Sequence, residues 1–198
     1  MEFLTLTAPY LVILYAAVLL FIRPTRAAWL ASLLAGLLMG IINIVGDLLA
    51  YSAHWWHYSF HAMTFQSVPA YLLPVINAFN AMESNWHISL PFYLTPVLIF
   101  GSLGYLFVWR FWRSRAHWVS LVALVAVPLF CIVRDILGGV SNTSFQIWEN
   151  VPAAIIATVV MWLVAFFAGF LLFWFLAPAR STQEEELTTL GEAQVHKQ

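Results

Sequence analysis

The feature that most limits how this chain can fold is a series of five long, continuously apolar segments. Each approaches or exceeds the roughly 20 residues that an α-helix needs to cross a hydrocarbon core of about 30 Å. Backbone polar groups must be paired inside lipid, and the apolar residues do not alternate, so we expect helices rather than a β-barrel. The predicted fold class is all-α, a multi-pass transmembrane helical bundle with five spans. The segments are Leu4–Ile22, Ala27–Ala50, Ser89–Trp109, Val119–Gly138 and Pro152–Ala177.

Composition supports a membrane location. Hydrophobic residues make up 63% of the 198 residues and charged residues only 9%, against about 25% charged residues in soluble domains. The lipid bilayer is therefore the expected partner. The net charge of −1 gives no indication of a nucleic-acid partner. The single cysteine, Cys131, excludes an intrachain disulfide.

A sixth apolar stretch, Ser67–Ala81, is short and contains two prolines, which favours a re-entrant or interfacial helical segment over a span. If it does not span, the three basic clusters lie on one side, as the positive-inside rule favours. The N-terminus is then outside and the C-terminus cytoplasmic, in a cell membrane that we expect to be a bacterial plasma membrane. The clusters are Arg23 with Arg26, Arg110 with Arg113 and Arg115, and Arg180 with Lys197.

The domain organisation follows from this topology. Residues 1–180 are predicted to form a single transmembrane domain, with an outer-face subdomain at residues 51–88. Residues 181–198 are predicted to be a polar cytoplasmic tail. Asn150, two residues before Pro152, is interpreted as the cap of the last helix.

A stripe of polar residues in the second apolar segment is the best candidate for a functional site. Asn43, Asp47, Tyr51 and His54 recur at spacings of four, four and three, which places them on one face of a helix. An ionisable residue within a span is costly and normally faces the protein interior or water. Arg134 and Asp135 are expected at a similar depth, so that Asp47 contacts one of them. The cluster is either an interhelical clamp or a ligand-binding or catalytic site.

Three histidines follow this stripe. His54, His57 and His61 are spaced i, i+3 and i+7, so a continuing helix would present three imidazoles on one face. Such spacings occur in zinc and iron sites. The surrounding tryptophans and tyrosines are more typical of the aromatic belt at a membrane interface. We therefore treat the histidines as weak metal candidates and expect no cofactor.

Ser32, Gly36 and Gly40 repeat every four residues and place three small side chains on one helix face. This spacing permits close approach of a second helix. The favoured interpretation is a contact within one chain. A homo-oligomer formed through this face is the alternative.

Residues 47–70 resemble the lycopene cyclase domain of carotenoid biosynthesis. The matching residues are Asp47, Ala50, Trp55 or Trp56, and Tyr58, while Val68-Pro69-Ala70-Tyr71 stands where the family has paired acids. The resemblance covers about an eighth of the chain. It implies an apolar, isoprenoid-type ligand, and the missing acids bear on activity because protonating a polyene requires a positioned acid.

Two functional classes remain open. The first is a non-enzymatic membrane protein, such as an accessory subunit, a small-ligand binder or a transporter component. The second is a small membrane enzyme acting on an isoprenoid or carotenoid-type lipid, with Asp47 at its site. We favour the first because the sequence shows no complete catalytic constellation, and whether the protein is an enzyme stays open.

Overall fold

The structure, a computed structural model, describes residues 8–58, 74, 90–112, 114–141 and 146–177. The predictions for His61, for Ser67–Ala81 apart from Pro74, and for the tail at residues 181–198 lie outside these described residues. Within them, most residues are helical. The helices are α1 (Ala8–Ile22), α2 (Arg26–Ser52), α3 (Leu90–Leu94, Thr95–Leu103 and Gly104–Phe111), α4 (His117–Val140) and α5 (Val151–Leu176).

Four of these helices, α2 to α5, are long and apolar enough to cross a membrane by length and composition. The prediction of an apolar helical bundle with several membrane-span candidates is thus confirmed. Helix α1 has 15 residues and is therefore about 22 Å long, which is shorter than the hydrocarbon core of about 30 Å. The predicted count of five spans depends on this helix and stays a prediction.

Helix starts follow from local capping. The Thr25 side chain accepts a hydrogen bond of 3.1 Å from the backbone N–H of Ala28, and this caps α2. Asn150 caps α5 in the same way, through a 3.3 Å hydrogen bond from the N–H of Ala153. Both bonds satisfy N–H groups that a helix leaves without a partner at its start. The predicted role of Asn150 is confirmed.

The central part of α3, Thr95–Leu103, is a π-helix. Proline has no backbone N–H and its ring clashes with the carbonyl of the residue four positions earlier. Pro96, at the start of this stretch, is therefore the local reason for the change in helix type. Stretches of π-helix are rare and often occur at functional sites.

Helices α2 and α3 are antiparallel. The hydroxyls of Ser32, early in α2, and Ser102, late in α3, are 2.8 Å apart. At the other end, Tyr93 of α3 donates to Asp47 of α2. The α1–α2 and α3–α4 connections therefore lie at one end of the bundle, which we call the basic end because these connections carry arginines such as Arg23 and Arg115.

The opposite end carries a two-stranded antiparallel sheet that the all-α prediction did not include. Strand β1 (Trp56–Tyr58) pairs with β2 (Gln146–Trp148), with Trp56 opposite Trp148 and Tyr58 opposite Gln146. We call this sheet the ribbon. Trp56 and Trp148 are buried, and Ile147 points outward because side chains alternate along a strand.

The ribbon exists because α2 ends at Ser52. His54 follows with a φ of 55°, a left-handed conformation that does not continue a right-handed helix. The helix does not continue through His54 and His57, since His57 lies in β1, so the condition for a shared histidine face on a helix is not met by these two residues.

The small residues of α2 pack within the chain. Ser32, Gly36 and Gly40 are buried. A Cβ atom at Gly36 would overlap the backbone carbonyl of Val97 in the π-helix, and one at Gly40 would overlap the Val97 side chain. The favoured interpretation, a contact within one chain, agrees with this packing, because α3 lies against this face of α2. The alternative, a homo-oligomer formed through this face, stays a prediction.

Candidate functional site

The Asp47 carboxylate lies at the centre of a hydrogen-bond cluster near the ribbon end of the bundle. Its Oδ1 atom accepts from the indole Nε1 of Trp56 at 3.0 Å. Its Oδ2 atom accepts from the hydroxyls of Tyr58 at 3.1 Å and Tyr93 at 2.5 Å. Asp47 is buried, so these three donors replace the water that would otherwise solvate the carboxylate.

Three separate elements supply this cluster. Helix α2 places Asp47 one to two turns before its end at Ser52. The chain reverses direction after α2, so β1 lies beside the end of that helix. Trp56 and Tyr58 of β1 can therefore donate to Asp47. Tyr93 comes from the first residues of α3, and the Tyr58 ring stacks on Phe92 with centroids 6.1 Å apart. The contacts therefore depend on the ribbon as well as on the helices.

Asp47 also lines a cavity of about 320 Å³. We call it the polar cavity because its wall contains two carboxylates, a guanidinium and two amides, together with aromatic rings. The cavity is partly open to the surface, and its size beside a buried carboxylate makes it a candidate for a binding site. The lining residues are Asn43, Asp47, Tyr58, Phe92, Thr95, Pro96, Arg134, Asp135, Gln146, Met161 and Trp162.

Arg134 and Asp135 form an ion pair with each other. The Nη2 atom of Arg134 lies 2.6 Å from Oδ1 of Asp135, and Trp162 donates its indole N–H to Oδ2 at 2.7 Å. The guanidinium of Arg134 also lies 5.3 Å from the centre of the Phe100 ring, a cation–π distance. Arg134 is thus held by its own neighbours on α4, α3 and α5.

The predicted contact of Asp47 with this pair needs correction. Among the described residues, the partners of the Asp47 carboxylate are three aromatic donors, and the ion pair of Arg134 is with Asp135. Arg134 and Asp135 are adjacent on α4, so they can form an ion pair without any contact between helices. An ion pair between Arg134 and Asp47 would require α4 and α2 to bring the two side chains together. Asp47, Arg134 and Asp135 nevertheless line one cavity.

The predicted stripe on α2 is divided in the structure. Asn43 is buried, lines the polar cavity and donates its amide to the carbonyl of Met39 at 2.8 Å. Tyr51 is 41% exposed and does not line this cavity. His54 lies beyond the end of the helix and is exposed. The helical spacing thus placed Asn43 and Asp47 correctly, but the stripe does not extend to the histidines.

His54 and His57 instead lie beside the carboxylate of Glu149, on the surface of the ribbon end. Nδ1 of His57 lies 2.7 Å from Oε1 of Glu149, and Nδ1 of His54 lies 3.4 Å from Oε2. In the part of the chain that the structure describes, no three His, Cys, Asp or Glu side chains are arranged to hold a metal ion. His61, the third residue of the predicted set, lies outside that part.

Trp56 and Tyr58 follow Asp47 in the chain, and the structure brings all three together. Burial and the nearby Asp47 carboxylate raise the pKa of the Tyr58 hydroxyl well above its ordinary value. The hydroxyl therefore stays protonated and donates to the carboxylate. Tyr93 and Trp162 were missed, because neither lies near Asp47 or Asp135 in sequence and aromatic residues are common throughout the chain.

A second cavity, of about 520 Å³, lies between α2 and α5. We call it the apolar cavity, since its wall consists of hydrophobic side chains and one glycine.

Comparisons with known proteins give no relative: no family model matches the chain, and no curated protein or solved structure matches it. The two cavities and the Asp47 cluster are therefore the basis for a functional proposal.

Proposed function

We propose that this chain is a multi-pass membrane protein that binds a small molecule in the polar cavity without transforming it. The observation that carries this proposal is a buried carboxylate, Asp47, which is held by three hydrogen-bond donors and still lines an open space of about 320 Å³. In the described part of the chain, Oδ1 accepts a single hydrogen bond, from Trp56, and can accept another from a molecule in this space. Ligand sites typically combine an apolar wall with a few polar groups that fix orientation.

The hydrogen-bond capacity of the site predicts the kind of group it takes. An ionised carboxylate offers about four lone-pair positions, and three are used by Trp56, Tyr58 and Tyr93. The remaining position, on Oδ1, suits a ligand that donates a hydrogen bond, such as an amine or a hydroxyl. A ligand carboxylate would instead be repelled.

The same proposal places the polar cavity near the outer face of the membrane. Arg23 and Arg115 lie in connections at the basic end, opposite the ribbon, and Arg26 and Arg110 lie in the helix ends beside them. The positive-inside rule then favours a cytoplasmic basic end, with five spans, the N-terminus outside and the C-terminus inside. The stacking of Tyr58 on Phe92 supports this topology, because these two residues lie at the same end of the bundle. Ser67–Ala81 is accordingly proposed not to cross the membrane as a single span.

The test uses three small probes, butylamine, butan-1-ol and butanoate, with the detergent-solubilised full chain. We expect saturable increases in Tm with butylamine and butan-1-ol, and none with butanoate. Asp47→Asn should abolish these increases. Thr95→Phe, which fills part of the polar cavity without removing the carboxylate, should also reduce them.

A matched pair of tyrosine variants controls for general effects. Tyr93→Phe removes a donor to Asp47 and should weaken the response to butylamine. Tyr10→Phe changes an exposed residue of α1 and should leave it unchanged. Equal responses of the wild type and Asp47→Asn would contradict the proposal.

The alternative is an enzyme acting on an isoprenoid-type lipid, and one observation favours it. A second carboxylate is available beside Asp47, because Asp135 lines the same cavity. Cyclisation of a polyene needs an acid that protonates a terminal double bond and a base that removes a proton. Incubation of the protein with lycopene in lipid vesicles, followed by chromatography, tests this alternative. A cyclic product that Asp135→Asn abolishes would establish it over simple binding.

A further inference from the structure

The two cavities share one wall. Met161 of α5 lines both the polar and the apolar cavity. Trp56 lines the apolar cavity, and its indole N–H reaches Asp47, which lines the polar one. The apolar space therefore begins where the hydrogen-bond cluster ends.

The side chain at this boundary is a methionine, Met161. Methionine is unbranched and adapts to irregular spaces. Gly46 of α2 lies directly opposite, and a Cβ atom there would overlap the Met161 side chain. The absence of a side chain at Gly46 thus provides the room that Met161 occupies, and Met161 is the side chain that separates the two cavities.

The charges of the polar cavity select one kind of head group. Arg134 and Asp135 neutralise each other, and the donors to Asp47 are uncharged. Among the described lining residues, one negative charge therefore remains without a cation. A primary amine, protonated at neutral pH as lysine is, supplies both the missing charge and a hydrogen-bond donor.

Building on the proposed function, we propose that the ligand is a single-chain amphiphile with a protonated amine head. The head occupies the polar cavity beside Asp47, and the hydrocarbon chain passes Met161 into the apolar cavity. Val45 and Val160, on opposite walls of the apolar cavity, are each about half exposed. The cavity therefore opens on the outer surface of the bundle, where a bilayer would supply such a chain.

The test measures binding to the detergent-solubilised full chain by native mass spectrometry, with dodecylamine, dodecanoate and butylamine as probes. Val160→Trp places a bulky ring in the apolar cavity. Its control is Val122→Trp on α4, because Val122 has the same 53% exposure and lines neither cavity. Ile156→Trp, on the same wall as Val160, provides a second test if Val160→Trp does not fold.

We expect one dodecylamine per chain and much weaker binding of dodecanoate. Val160→Trp should weaken dodecylamine binding by about tenfold, as expected when a bulky side chain removes space from a bound chain. It should leave butylamine binding unchanged, and Val122→Trp should affect neither probe.

Equal effects of Val160→Trp and Val122→Trp on dodecylamine would overturn the placement of the chain. Dodecanoate binding as tightly as dodecylamine would overturn the choice of head group. Failure of the proposed function looks different: butylamine would then bind Asp47→Asn as well as the wild type, whatever the tryptophan variants do.

Discussion

Trp56 in the ribbon and Asp47 in α2 are joined by a 3.0 Å hydrogen bond from the indole Nε1 to Oδ1. Both residues are buried, and Trp56 is only 1% exposed. The bond ties the end of the helical bundle to the two-stranded sheet beside it. Because water cannot replace either partner at low cost, loss of one leaves the polar group of the other unsatisfied.

The first prediction concerns energetic coupling at this bond. Trp56→Phe and Asp47→Asn should each lower stability by about 1–3 kcal/mol, because the first removes a donor from the buried carboxylate and the second leaves one acceptor oxygen for three donors. The double mutant should lose less than the sum, since directly interacting residues show coupling energies of about 0.5–3 kcal/mol. Unfolding in detergent with increasing denaturant measures all three variants.

Arg134→Gln provides the comparison for that cycle. Its ion pair is with Asp135, so its coupling to Asp47→Asn should be smaller than the coupling between Trp56 and Asp47. A larger coupling between Asp47 and Arg134 would restore the interhelical clamp and contradict the observed arrangement.

The second prediction concerns the contact between α2 and α3. Gly36→Ala should destabilise the protein by about 1–3 kcal/mol, because the new methyl group would meet the Val97 carbonyl, and backbone atoms cannot move aside easily. Gly104→Ala is the matched control. The nearest atom to a Cβ there is the Ile99 oxygen at 3.8 Å, an ordinary contact. This variant should be neutral, or more stable by up to about 1 kcal/mol from helix propensity. Similar Tm values for the two variants would argue against this close packing.

The third prediction concerns alkaline pH. The pKa of Tyr58 is raised well above its ordinary value by burial and by Asp47. Above the ordinary tyrosine value of about 10, the unfolded state loses this proton while the folded state keeps it. Stability should therefore fall as the pH rises through that range, by up to about 1.4 kcal/mol per pH unit for this group.

Tyr58→Phe isolates the contribution of this hydroxyl. The variant should be less stable near neutral pH, because a donor to Asp47 is lost. Its stability should also decline less steeply above about pH 10, where Tyr58 contributes to the wild-type slope. Parallel curves for the wild type and Tyr58→Phe would show that this hydroxyl ionises similarly in both states.

The fourth prediction tests the topology. In a Cys131→Ala background, a single cysteine replaces either Ile147 on the outward side of the ribbon or Arg115 at the basic end. An impermeant thiol reagent added to intact cells should label Ile147→Cys and leave Arg115→Cys unlabelled until the membrane is opened. The reverse pattern would invert the proposed orientation.

Much of the helical architecture could be predicted from sequence, since an apolar run of about 20 residues has few stable alternatives in lipid. The predicted segments Ala27–Ala50 and Val119–Gly138 fall within the observed α2 and α4. Local chemistry was equally predictable at Asn150, whose capping role depends only on residues a few positions away. Small residues at a spacing of four identified the close helix contact through Gly36.

The site was only partly predictable. Helical periodicity identified Asp47 and Asn43, because both lie within one regular element and share a face. The same periodicity failed beyond Ser52, where the left-handed conformation of His54 ends the helical geometry. The depth of Asp135 in α4 predicted that it lies near the site. The predicted contact of Asp47 with Arg134 or Asp135 was not found as an ion pair, since Arg134 pairs with Asp135, its neighbour on the same helix.

The sequence by itself determined that the chain forms apolar helices and that Asp47 needs buried partners, because both follow from the cost of polar groups in an apolar medium. Only the tertiary structure decided which partners these are. Tyr93 lies 46 positions from Asp47, and β1 meets β2 across about ninety residues. Contacts at such separations depend on how helices pack and where strands pair, which no local pattern of residues records.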